Sequence, residues 1–198
     1  HNYGLILFDS GKLNEALKFY EKSTILLPNS FFAFLCLGNS YYRIGNYLKA
    51  EPAIRKAIKI KPIIVESYLT LSSILIEQNR LYEAEEVLQK GILINPLSAD
   101  LFCNLAVVLE HLGKIDEAEK IIRIAIDLKP KLSEAYYNLS MILKIKGNLI
   151  DAEKNSLIAI KLNKNYVQPY YFLTTLKPKF SNKEWCQYLF SEEILKNK

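Results

Sequence analysis

Apolar residues along Ala99–Leu132 recur at three- and four-residue steps, the spacing that stacks side chains on one face of an α-helix. Phe102, Leu105, Leu109 and Leu112 form one such run. Gly113 interrupts it, and Ala118, Ile121, Ile122, Ala125 and Ile126 resume the same rhythm. Pro130 closes the second run, because proline has no amide hydrogen to donate and its ring clashes one turn back. The pattern predicts two antiparallel helices. Such a hairpin leaves one apolar face uncovered, so it needs a neighbour on each side.

The neighbours lie in the same chain. Pro28, Pro62, Pro96 and Pro130 follow one another at intervals of 34 residues, a period that marks a repeat array. Other columns keep the same step. Phe34, Tyr68, Phe102 and Tyr136 supply a large residue early in each first helix, and Leu37, Leu71, Leu105 and Leu139 follow three residues later. Gly38, Ser72, Ala106 and Ser140 supply a small residue where two helices approach closely. Ala16, Ala50, Ala84, Ala118 and Ala152 mark the second helices, and Ser23, Ala57, Gly91, Ala125 and Ala159 lie seven residues on.

This set of columns resembles the tetratricopeptide repeat over roughly residues 1–176. The resemblance implies an all-α, right-handed superhelical solenoid of antiparallel helix pairs, A and B, with a concave face that holds other proteins or peptides. The reading is of one solenoid domain over residues 1–198. Its repeats are 1–30 (lacking the opening residues), 31–64, 65–98, 99–132 and 133–166, and 167–198 forms a degenerate sixth hairpin that caps the stack. Ser181-Asn182-Lys183-Glu184 reads as a capping box ahead of a last helix with Trp185, Cys186, Leu189 and Phe190. The alternative for this segment is a linker to a further domain. The chain opens with His1 partway through a repeat, which implies a piece of something longer.

Three local departures stand out. Pro52 falls inside a B helix, where it either bends the helix or sits near enough to its start to be tolerated, and the second is preferred. Asn79 stands where the other turns carry glycine. Ser156 takes a bulky position, and Lys164 replaces the terminal proline, so packing in the fifth repeat is expected to be looser.

Helical geometry locates the groove. At about 100° per residue, the A-helix residues that face helix B leave repeat positions 2, 6, 9 and 13 on the opposite side, flanked by 5 and 12. From these columns we take Asn2, Asn39, Tyr42, Arg43, Thr70, Glu77, Asn104, Val107, Glu110, His111, Tyr137, Asn138, Met141 and Lys144 as candidate peptide-binding residues. Asn2, Asn104 and Asn138 share position 6, which resembles the asparagine ladder of the O-linked N-acetylglucosamine transferase repeat domain. There the amide grips the backbone of an extended peptide, since one group both donates and accepts. Cys36, Thr70 and Phe172 interrupt the ladder here, and an asparagine tolerated on a solvated face is the equal alternative. Leu35, Leu69 and Cys103 at position 5, with Glu66 and Asp100 at position 2, speak against a clamp for a peptide's C-terminal carboxylate.

Charge changes the picture only a little. Half of the residues are hydrophobic and the formal net charge is +5, yet groove positions carry Asp9, Glu66, Glu77, Asp100 and Glu134 against Arg43. A partner with basic residues suits that face. For Glu66, Asp100 and Glu134 the helix dipole is the better explanation, as they sit in first turns. Lysines spread over convex helices serve solubility better than nucleic-acid binding. No apolar run is long enough for a membrane helix, so neither nucleic acid nor membrane is expected as partner. Three cysteines without metal-ligand spacing point to a reducing, cytoplasmic setting. Cys103 and His111 lie about 12 Å apart along one helix, too far for a nucleophile and its base. No phosphate loop or Gly-x-Ser-x-Gly elbow occurs, so no enzyme activity and no cofactor are expected. The reading is a protein-interaction scaffold, monomeric or weakly self-associating, and an isoleucine-, lysine- and asparagine-rich composition hints at a bacterial source. Two alternatives stay open: the partner-selecting part of a larger glycosyltransferase- or sulfotransferase-like enzyme, and a self-associating structural array.

Overall fold

Every described turn between an A and a B helix is built on one left-handed residue. In this computed structural model, which describes residues 13–176, Gly45, Asn79, Gly113 and Gly147 have φ of 75°, 57°, 76° and 79°. The next residue's amide then reaches back five residues: Asn46 N to Tyr41 O, Arg80 N to Leu75 O, Lys114 N to Leu109 O and Asn148 N to Leu143 O, at 2.8–2.9 Å. This satisfies carbonyls that the helix end leaves without partners. Asn79, read as a departure from glycine, therefore adopts the same backbone.

The helices are α1 (Leu13–Leu26), α2 (Phe31–Arg43), α3 (Tyr47–Ile60), α4 (Val65–Glu77), α5 (Leu81–Ile94), α6 (Ala99–His111), α7 (Ile115–Leu128), α8 (Ser133–Ile145), α9 (Leu149–Leu162) and α10 (Val167–Thr175). Two compact units divide the chain at Val108/Leu109, inside α6. In the first, α1 packs on α2, α2 on α3, α3 on α4 and α4 on α5, and the two A helices α2 and α4 also touch. In the second, α7 packs on α8, α8 on α9 and α9 on α10. The described residues are thus all-α, with antiparallel pairs in the predicted register.

Small residues set the helix spacing. Ala16, Ala50, Ala84, Ala118 and Ala152 are all fully buried. A methyl on Gly38 would run into the Ile54 side chain and lie 3.3 Å from the Ala50 carbonyl. Ile54, Leu88 and Ile122 fill the equivalent core position, each with no exposed surface. At that position in the fifth repeat Ser156 is also fully buried, and its hydroxyl donates to the Pro169 carbonyl at 3.4 Å.

Helix ends keep their register with or without proline. α3, α5 and α7 stop two residues before Pro62, Pro96 and Pro130, and α9 stops at the equivalent Leu162 before Lys164. Lys61, Asn95, Lys129 and Asn163 all donate to the carbonyl four residues back. The stop thus resides in the turn geometry, to which proline adds conformational restriction. Pro52 leaves α3 uninterrupted. The carbonyl it leaves without an amide belongs to Leu48, a residue 85% exposed, so the lost hydrogen bond falls on the solvent side of the helix. α10 matches the sixth A helix expected from Val167. The capping box and the helix carrying Trp185, Cys186, Leu189 and Phe190 lie outside the described residues, as do Asn2 and Asp9.

Candidate protein-binding face

In the first unit, positions 2 and 13 of the A helices are the open ends of the face, and positions 6 and 9 its half-buried middle. Glu66 and Asp100 are exposed, as are Arg43 and Glu77, whereas Asn39, Thr70, Ser73, Asn104 and Val107 are half-buried. Two residues of α2 depart from this pattern: Phe32 is half-buried at position 2 and Cys36 is buried at position 6. At flanking position 5, Leu35 and Cys103 are buried as well, which leaves them part of the packing.

The amide that both donates and accepts is found at position 9. Asn39 Nδ2 donates to Glu66 Oε1 at 3.1 Å, while Thr70 Oγ1 donates to Asn39 Oδ1 at 2.9 Å. Three side chains from two repeats form one network along the face. Two of them were candidate site residues, and the link between them was not legible in the sequence: their columns differ, and only the stacking of α2 on α4 brings them together. Tyr42 lies 5.8 Å from the ring of Tyr47. Partial burial first, then the Glu77 carboxylate, raises the pKa of the Tyr47 phenol. Beside them, at the α2–α3 turn, an open recess of about 470 Å³ is lined by Ile44, Gly45, Asn46, Tyr47, Leu48 and Gln78. Sequence periodicity gives no sign of it, because turn residues belong to neither helical stripe.

In the second unit, Tyr137 is the centre of an aromatic cluster. Its ring stands edge-on to Tyr166 at 5.4 Å and to Phe172 at 6.0 Å, and burial raises its pKa. Lys144 Nζ donates to Thr175 Oγ1 at 3.0 Å and lies 5.2 Å from the Phe172 ring centre. Phe172, read as an interruption of the asparagine ladder, is therefore a packing residue, 4% exposed. Asn138 and Met141 are half-buried beside this cluster on α8. At the end of α6, His111 Nε2 stands 3.5 Å from Glu110 Oε2, an ion pair whenever the imidazole is protonated.

Burial pushes the Cys36 thiol up to about 11, with the Tyr20 hydrogen bond pulling down and the Glu66 charge pushing up. At neutral pH it is protonated and a poor nucleophile. Among the described residues no group of three or more His, Cys, Asp or Glu side chains is placed to hold a metal ion. Hydroxyl, amide, carboxylate and aromatic groups distributed over successive A helices are suited to many modest contacts along an extended ligand.

The fold and this face define a helical-repeat scaffold for protein interaction. Models of the tetratricopeptide repeat match residues 1–24, 35–63 and 65–96, and a further one matches 87–120. The chain belongs to the tetratricopeptide repeat family. The crystal structure of MamA is similar at 25% identity, with a TM-score of 0.70 over 83% of this chain and 96% of that one. A thermophilic tetratricopeptide repeat protein of Thermus thermophilus is similar at 19% identity, with a TM-score of 0.75 over 96% and 97%. YrrB, a tetratricopeptide repeat protein with an unusual peptide-binding site, is similar at 21% identity, with a TM-score of 0.64 over 87% and 89%. None of the curated proteins matches the sequence.

Proposed function

We propose that the A-helix face of the first unit takes an extended peptide or a partner helix, and that basic side chains of this ligand meet Glu66, Glu77 and Asp100. The observation that carries this is the Asn39–Thr70–Glu66 network, which holds a carboxylate in place on the face before any ligand arrives. A preformed site spares the ligand part of the ordering cost. The fold is also one on which YrrB carries a peptide-binding site, a support by analogy only. The face on α8 around Asn138 and Met141 is proposed as a second contact region. On the cysteine and composition arguments, the same proposal places the protein in the cytoplasm of a bacterium.

Selection from a random peptide library against the full chain tests this. Enriched peptides should carry Lys or Arg and lose at least fivefold in affinity to Glu66→Gln and to Asn104→Ala. The melting temperature of Asn104→Ala should change little. Peptides that bind both variants as well as the parent chain would place the ligand elsewhere.

A further inference from the structure

Charge is not spread evenly over the repeats. Residues 31–64 set Arg43, Lys49, Arg55, Lys56, Lys59 and Lys61 against Glu51 alone, a formal +5 that equals the net charge of the whole chain. The next repeat, residues 65–98, has more acids than bases. The basic excess gathers on the outer sector of α3. Lys49, Arg55, Lys56 and Lys59 are exposed there, with Leu48 and Pro52 among them and no acid. Arg55 is compensated, because it meets Glu51 and Glu83 on the side toward α5. Lys49, Lys56 and Lys59, and Lys61 at the helix exit, have no ion pair with a described residue.

Three of these ammonium groups are held in place by α2. Lys49 Nζ lies 5.5 Å from the Tyr41 ring centre, Lys56 Nζ 6.0 Å from that of Phe34 and Lys61 Nζ 4.7 Å from that of Phe31. A ring face attracts a cation without neutralising it, so the ammonium groups are positioned and keep their full charge. The acids of neighbouring elements are engaged elsewhere. Arg80 and Arg55 hold Glu51 and Glu83, and Asn39 holds Glu66 on the A-helix face. On α1, Glu21 accepts from the Tyr41 hydroxyl, and Lys18 and Lys22 match Glu15 and Glu21 in charge.

We propose that the outer face of α3 docks an acidic amphipathic helix of a partner protein. Lys49 and Lys56 are seven residues apart, about 10 Å along the axis, and Lys59 lies nearly one turn farther. A helix laid along α3 presents carboxylates at the same three-, four- and seven-residue steps. Leu48, 85% exposed, and Pro52 stand within the stripe and call for an apolar residue between the acids. A protein helix supplies one, whereas a nucleic-acid backbone does not. The rings that could stack on bases lie beneath ammonium groups instead. Cations already in place lower the ordering cost of binding. The site is independent of the A-helix face, whose proposed ligand carries the opposite charge.

Fluorescence anisotropy of the full chain tests it. The probe is a labelled helix-forming peptide with glutamates at three- and four-residue steps and one leucine per turn. Binding is expected to saturate and to weaken with added salt. Lys49→Gln with Lys56→Gln and Lys59→Gln should weaken it about tenfold. Lys131→Gln with Lys161→Gln and Lys164→Gln makes the same charge change in the second unit and should cost less than about twofold. Lys59 has no ring contact, so Lys59→Glu alone leaves the packing in place and should still cost about threefold. Leu48→Ser should cost about fivefold at an unchanged melting temperature, because that side chain is exposed. Absence of saturable binding overturns the proposal, and so do equal losses in the two triple variants. Oligothymidylate bound as tightly as the peptide through the same lysines, and indifferent to Leu48→Ser, would make the face a nucleic-acid site and likewise overturn it.

Discussion

Asn39 shows what a single residue does here that its column does not reveal. It stands at position 9, yet it donates to Glu66 and accepts from Thr70, so its amide is committed within the protein. Asn104, at position 6, belongs to the column that resembles a peptide-gripping ladder. The two asparagines should therefore respond differently to truncation. In a double-mutant cycle of Asn39→Ala and Thr70→Val followed by urea denaturation, we expect a coupling of about 0.5–1.5 kcal/mol without any ligand. A coupling indistinguishable from zero would mean that the network contributes nothing to the stack. The residue types at both positions were legible as polar face residues. That they bond each other was not, because hydrogen bonding between columns depends on the offset between two stacked helices.

At the scale of the element, the turn residue decides whether an A helix can fold back into its B helix. Gly45, Gly113 and Gly147 take positive φ at no steric cost, whereas Asn79 takes φ of 57° against a Cβ penalty that asparagine tolerates better than most residues. Asn79→Gly should leave the melting temperature unchanged or raise it slightly. Asn79→Ala should lower stability by about 1 kcal/mol, and Gly113→Ala by a similar amount, as read by thermal melts. An Asn79→Ala variant as stable as the parent would contradict the left-handed turn. In the four proline-terminated units the sequence marked where the B helix must stop, and the helices end two residues before each proline. α9 shows that this punctuation accompanies the stop but is not its cause, since Leu162 ends that helix in register without proline.

Across the whole molecule, repeats are also tied on the B-helix side by ion pairs that recur in both units. Glu51 of α3 receives Arg80 Nη1 at 2.6 Å and Arg55 Nε at 2.8 Å. Two repeats on, Glu119 of α7 receives Lys146 at 2.7 Å and Arg123 at 2.7 Å. Each ties a B helix to the turn before the next one. Burial alone would raise the Glu51 pKa, and the Arg80 and Arg55 hydrogen bonds more than reverse it, so the carboxyl titrates below its ordinary 4.5. A group lowered in the folded state contributes stability above its unfolded pKa and loses it as pH falls through the folded value. Glu51→Gln should thus melt below the parent chain at neutral pH, and the gap should close once pH drops well below about 4.5. A gap that is constant across pH would show that the substitution acts through packing rather than charge. Such ties act between neighbours, which is the level at which a solenoid gathers stability.

The sequence alone determined the all-α class, the period, the family and the pairing of helices within each repeat. These follow from spacing along a helix, and spacing survives whatever the neighbouring repeats do. It also separated the residues that must pack from those left on the A-helix face. Tertiary structure decided which of those face residues are already engaged. Asn39 meets Thr70 and Glu66, Lys144 meets Thr175, and Tyr137 gathers Tyr166 and Phe172. It also decided that Ile63, Leu93 and Leu97 stand exposed rather than packed. Contacts between repeats depend on how far one hairpin is shifted and rotated on the next, and that offset is set jointly by Gly38, Gly91 and the buried alanines. No single column encodes it.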